Sequence, residues 1–134
     1  MPRILIVEDD QTSVKLLKIL LEEVHGYQVS VARHGADVVS MASEVKPDVF
    51  LIDYHLTDMD GLTLIGSLRS NPLFEKTPIV MASGLDVEIE ATKAGANAFL
   101  VKPYEPDELA NLFKMYTSSS PTEKSPTPDS GSEA

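Results

Sequence analysis

A chain of 134 residues, 43% hydrophobic and 6% aromatic, is sized for one soluble domain with a real core. A net charge of −10, from 21 acids against 11 Lys+Arg, argues against direct nucleic-acid binding, which needs clustered Lys/Arg. With no cysteine there are no disulfides, no thiolate metal site and no Cys nucleophile. No run approaches the ~18 apolar residues of a membrane span, and Ile4–Val7 is too short for a signal-peptide core. A cytoplasmic, soluble protein is expected.

The first predicted strand is Arg3–Val7. Val14, Leu17, Leu20, Leu21 and Val24 recur at three-to-four spacing and predict a helix over Thr12–Val24, ended by Gly26. Gln28–Ala32 reads as strand two, with Val29 and Val31 buried, and Ala36–Val45 as helix two, closed by Lys46-Pro47. Val49–Ile52 is a continuous apolar run that suits a strand covered on both faces. Asp60-Gly61 turns into helix three, Leu62–Ser70, which Asn71-Pro72 stops. Ile79–Ala82 is strand four. Asp86 is expected to cap helix four, Val87–Ala94, with Gly95 at its end. Ala98–Val101 is strand five, and Pro106 opens helix five, Asp107–Tyr116.

Alternating strands and helices predict an α/β fold, a doubly wound parallel five-stranded sheet. The flavodoxin-like (βα)5 order 2-1-3-4-5 is the usual solution. This domain covers residues 1–116. From Thr117 to Ala134 the chain is rich in Ser, Thr and Pro, with no apolar residue before Ala134. Such a segment cannot offset its ordering entropy by burial, so a disordered tail or linker is expected.

Four of the predicted strands run into reactive polar residues: Glu8-Asp9-Asp10, Asp53, Ser83-Gly84 and Lys102-Pro103. In an open parallel sheet these ends share the edge where ligands bind. The order 2-1-3-4-5 makes strands one and three neighbours, which sets Glu8 and Asp9 beside Asp53. Three close carboxylates repel one another unless a cation sits among them. Mg²⁺ fits when a phosphate must share the site. Asp9 and Asp53 are expected as direct ligands, Glu8 as the holder of a water, and the His55 backbone carbonyl as a further oxygen. Asp53 is then the natural nucleophile for a phosphoryl group, with Lys102 and the Ser83 hydroxyl meeting its oxygens.

On these motifs, in this order, the chain resembles the bacterial response-regulator receiver domain over about residues 1–116. The matching pieces are Ile4–Asp10, Asp53 with Met59-Asp60-Gly61, Ser83-Gly84 and Lys102-Pro103. The resemblance implies that Asp53 is phosphorylated by a histidine kinase or histidine phosphotransfer protein. It also implies that Glu8 and Asp9 are the acidic pair, Ser83 the switch hydroxyl, Lys102 the phosphoryl-binding lysine and Phe99 the aromatic switch. The Lys102-Pro103 bond is expected to be cis. The implied output is a protein target, met on the face of helix four, strand five and helix five, and a homodimer is among the expected partners. Thr57 stands where the family often has proline, Asp58 where it has glycine, Ser83 where threonine is commoner and Gly84 where alanine is. His55 and Leu85 fall at positions that tune phosphoryl lifetime.

Blander roles are expected for several neighbours. Asp10 reads as the cap of helix one, Asp58 and Asp60 as turn residues, and His25 and His34 as surface or strand-end side chains. A Mg²⁺-dependent aspartate-nucleophile phosphatase of the haloacid-dehalogenase kind is a rival. It would place its nucleophile after the first strand with a second acid two residues on, and residue 55 is His. A module that works without phosphorylation is the other rival. A flavin-binding relative would need a phosphate-cradling loop after strand one. No output module follows residue 116, so the chain reads as a stand-alone regulator or a receiver cut from a longer protein.

Overall fold

Short β-branched runs separated by amphipathic stretches produce strands and helices in strict alternation. The computed structural model describes residues 2–118. Among them, β1 (Arg3–Val7), β2 (Gln28–Ala32), β3 (Val49–Asp53), β4 (Ile79–Ser83) and β5 (Ala98–Val101) form one parallel sheet in the order β2-β1-β3-β4-β5. This is the expected flavodoxin-like topology. The helices are α1 (Gln11–Lys18), α2 (Val38–Val45), α3 (Gly61–Arg69), α4 (Glu88–Ala94) and α5 (Pro106–Ser118).

The two-residue period of the strands divides the core into two layers. Leu5, Val7, Phe50, Ile52 and Met81 pack with Val38, Leu64, Leu68 and Ala91 from α2, α3 and α4. Ile4, Ile6, Leu51 and Val80 pack on the other face with Leu21, Leu109 and Phe113. β3 is buried along its whole length, as a central strand covered on both faces must be. Phe50 meets Phe74 edge-to-face at 5.7 Å, and full burial of such a side chain stabilises by about 1.5–3 kcal/mol.

Several sequence expectations need correction. Helix one leaves α geometry after Lys18 and runs as a π-helix from Ile19 to Val24. Its wider turn carries Val24 off the buried stripe, to 66% exposure. Val29 and Val31 are half-buried because β2 is an edge strand with a neighbour on one side alone. Helix two starts with a 3-10 turn, Gly35–Asp37, before α2. Asp86 is not the cap of α4: Val87 holds that position, and Asp86 only reaches the Glu88 N–H at 3.5 Å. Helix α5 extends through Thr117 and Ser118, into the segment read as disordered. The rest of that segment lies outside the described residues.

Candidate functional site

Strand register builds the site. Val7 pairs with Ile52, so the next residues of β1 and β3, Glu8 and Asp53, reach the same sheet edge. Ser83 pairs with Val101, and the Lys102 N–H donates to the Ser83 carbonyl at 2.7 Å, which sets Lys102 at that edge too. Asp53 and Ser83 are each the last residue of their strand rather than the first residue beyond it. Their backbones are therefore held by the sheet while their side chains face the edge.

Lys102 is the centre of the cluster. Its Nζ donates to Asp53 Oδ1 at 2.5 Å and to Glu8 Oε1 at 3.3 Å. The two carboxylates are buried, at 6% exposure for Glu8 and 7% for Asp53. Burial pushes the Glu8 carboxyl above its ordinary value, and the neighbouring Asp53 charge adds to the shift, while Lys102 opposes it. Burial alone would lower the Lys102 pKa. The Asp53 hydrogen bond and the charges of Glu8 and Asp53 outweigh that and raise it, so the ammonium stays charged. Among the described residues, Asp53 Oδ2 has no hydrogen-bond partner and keeps its lone pairs for chemistry.

The remaining predicted residues divide between this cluster and its surroundings. Asp9 is half-buried, and its Oδ2 accepts a hydrogen bond from the Thr57 hydroxyl. No group of three metal-ligating side chains stands assembled among the described residues. Ser83 is 1% exposed, and its Oγ accepts from the Leu85 N–H at 2.9 Å, outside the lysine cluster. Phe99 is half-buried, paired with Met81 across β4 and β5, and packs on the α4-side core. His55 is exposed and bridges Asp60 at the base of its loop. The Lys102-Pro103 peptide is cis, as expected.

Three neighbouring acids hold backbone N–H groups: two cap helices and one ties two loops together. Asp10 caps α1, accepting from the Thr12 N–H at 3.3 Å and the Ser13 hydroxyl at 2.7 Å. Asp60 caps α3 through the Thr63 N–H at 2.8 Å. Asp58 receives the N–H groups of Ala36 and Gly35, each at 2.9 Å, which hold its carboxyl below the usual range. Gly61 has no room for a side chain, since a Cβ would lie 2.7 Å from the Asp53 carbonyl oxygen.

Two contributors escape a reading of strand ends. Thr57 is one, visible in the sequence solely as a residue standing where proline is frequent. Tyr104 is the other: burial pushes its phenol up, and it feels the charges of Lys102, Glu8 and Asp53. Its position two residues after Lys102 was its only signal. Glu8 and Asp9 also line a cavity of about 290 Å³ with Gln11, Lys15 and Arg33.

The donor set suits a hard divalent cation. Two buried carboxylates share one ammonium, which leaves a net negative charge in a poorly solvated pocket. Asp9 follows directly in the chain as a further oxygen donor. Magnesium tolerates such a mixture of carboxylate, carbonyl and water oxygens, and its charge would relieve the repulsion that raises Glu8.

A doubly wound parallel sheet with two carboxylates and a lysine gathered at its carboxyl edge defines a flavodoxin-like class of module. A family model for the response regulator receiver domain matches residues 4–114. The chain belongs to that family of two-component signalling domains. It is 35% identical over 106 residues to the response regulator PleD of Caulobacter vibrioides, a match spanning 77% of this chain and 23% of PleD. The chain thus spans about a quarter of that relative's length. The receiver domain of a signal transduction histidine kinase from Syntrophus aciditrophicus superposes with a TM-score of 0.82 at 32% identity, over 96% of this chain and 98% of that one. The receiver domain of the sensor histidine kinase PA1611 from Pseudomonas aeruginosa PAO1 gives a TM-score of 0.79 at 26% identity, over 88% and 98%. That structure carries a magnesium ion coordinated in its active-site cleft.

Proposed function

We propose that the chain accepts a phosphoryl group on Asp53 from a histidine kinase or histidine phosphotransfer protein and relays the change to a protein partner. The observation that carries this reading is Lys102 Nζ held against Asp53 Oδ1, with Oδ2 left open. In the transfer, an Asp53 Oδ2 lone pair forms the new O–P bond as the P–N bond of the phosphohistidine breaks. That bonding pair stays on the imidazole nitrogen, which takes a proton. Lys102 moves from the carboxylate to the phosphoryl oxygens and offsets the charge that spreads over them.

Glu8, Asp9, Asp53 and the His55 carbonyl are the groups that would hold Mg²⁺. When bound, the ion supplies charge neutralisation for the phosphoryl oxygens. Acyl phosphate formation makes this a self-assisted acceptor rather than an enzyme acting on free phosphate esters. The exposed His55, two residues beyond the nucleophile, offers no second acid of the haloacid-dehalogenase kind.

The Ser83 hydroxyl would turn from the Leu85 amide to a phosphoryl oxygen, and Phe99 would follow into the space released. Hydrogen bonds to charged groups contribute ~1.5–3 kcal/mol each. Reversing a 1:99 equilibrium needs about 5.5 kcal/mol. Contacts from Ser83 and Lys102 together therefore come close to a full shift. The surface that would change is that of α4, β5 and α5, where Ile89, Val101 and Met115 already stand exposed. Incubation with Mg²⁺ and acetyl phosphate, followed by intact-mass measurement, should give one base-labile phosphoryl adduct on the wild type and none on Asp53→Asn. Equal labelling of both proteins would overturn the assignment.

A further inference from the structure

The loop between β3 and α3 is tied down at both sides of its tip by two side chains, Thr57 and Asp58. Its base is closed by the bridge between His55 and Asp60. From the tip, the Thr57 hydroxyl crosses 48 residues of sequence to donate to Asp9 Oδ2. Asp58 reaches the other way, accepting the Gly35 and Ala36 N–H groups at 2.9 Å each. Met59 packs onto the same place: a Cβ on Gly35 would lie 2.6 Å from the Met59 sulfur, so the Met59 side chain would have to move to admit one. The tip thus spans the β1–α1 loop, which carries the acidic pair, and the start of the helical segment after β2.

We propose that Thr57 and Asp58 form a two-point latch that positions Asp9 to receive a divalent cation. Thr57 occupies Oδ2, which fixes the carboxylate plane and leaves Oδ1 for the ion. Asp58 acts one step removed, by holding the loop so that the hydroxyl stays in reach. Both residues are positioning residues. Partners that orient a ligating carboxylate commonly change metal affinity 10–100-fold when removed. The inference rests on the reading of Asp9 as a cation ligand.

The test is isothermal titration with MgCl₂ of the wild type, Thr57→Val, Thr57→Ser, Asp58→Ala and the Thr57→Val/Asp58→Ala double variant, with a thermal melt of each to confirm folding. Thr57 and Asp58 are exposed, so the core is untouched by these changes. Thr57→Val should bind Mg²⁺ about tenfold more weakly, while Thr57→Ser, which keeps the hydroxyl, should match the wild type. Asp58→Ala should also weaken binding, and the double variant should be no weaker than Thr57→Val, because Asp58 works through Thr57. Wild-type affinity in Thr57→Val, or fully additive losses in the double variant, would overturn the latch and leave the phosphoacceptor reading standing. A wild type that takes up no Mg²⁺ would overturn the cation reading, and the latch with it.

Discussion

Glu8 shows how one residue of the lysine cluster can weigh against stability. Its carboxylate is buried beside Asp53, with half of one ammonium for compensation, and its pKa rises from the ordinary 4.5. A carboxyl whose folded pKa lies above its unfolded value opposes folding once it ionises. The penalty is absent below about 4.5 and develops as pH climbs through the folded value. Glu8→Gln should therefore melt at a higher temperature than the wild type at neutral pH. The gap should close as the buffer is taken down toward pH 4.5, and it should also shrink when Mg²⁺ is added to the wild type. Melting curves across that range decide the matter; a variant less stable than the wild type at pH 7 would show that Glu8 is well compensated.

At the scale of elements, polar caps set where helices begin near the site. Asp60 receives the Thr63 N–H at the start of α3, just behind the acceptor loop. Replacing such a cap with alanine costs about 0.5–2 kcal/mol. Asp60→Ala should lower the urea midpoint accordingly, with no change in the denaturant slope. The elements also explain where local pattern misleads. Val24 fits a perfect 3.6-residue stripe, yet the π turn from Ile19 rotates it outward. Asp86 precedes a helix as a good cap should, but the cap position falls one residue later, at Val87, and α4 begins at Glu88.

Across the whole molecule, the lysine cluster and the exposed apolar side chains of α4 and α5 lie in different regions. The lysine cluster sits at the carboxyl ends of β1, β3 and β5, while the exposed apolar residues Ile89 and Met115 lie on α4 and α5. Ile89 is 69% exposed and takes no part in the lysine cluster. Ile89→Asp should therefore keep wild-type labelling by acetyl phosphate and wild-type melting, within about ±0.5 kcal/mol for a surface change. Binding to whatever protein receives the signal should fall. Loss of labelling in this variant would mean that the two regions are not separable.

Strand positions, helix stops at Gly26 and Gly95, the sheet order and the convergence of Glu8, Asp53 and Lys102 were all legible in the linear order of residues. They follow from short-range physics: apolar period, proline and glycine punctuation, and the handedness of crossover connections. The family could be recognised for the same reason, since its motifs sit at strand ends. The bond from Thr57 to Asp9 and the seat of Asp58 on Gly35 and Ala36 had no such signal. Each joins loops more than twenty residues apart in the chain. Loop side chains have no period to betray their direction, so their partners emerge only once the sheet has brought β1, β2 and β3 side by side.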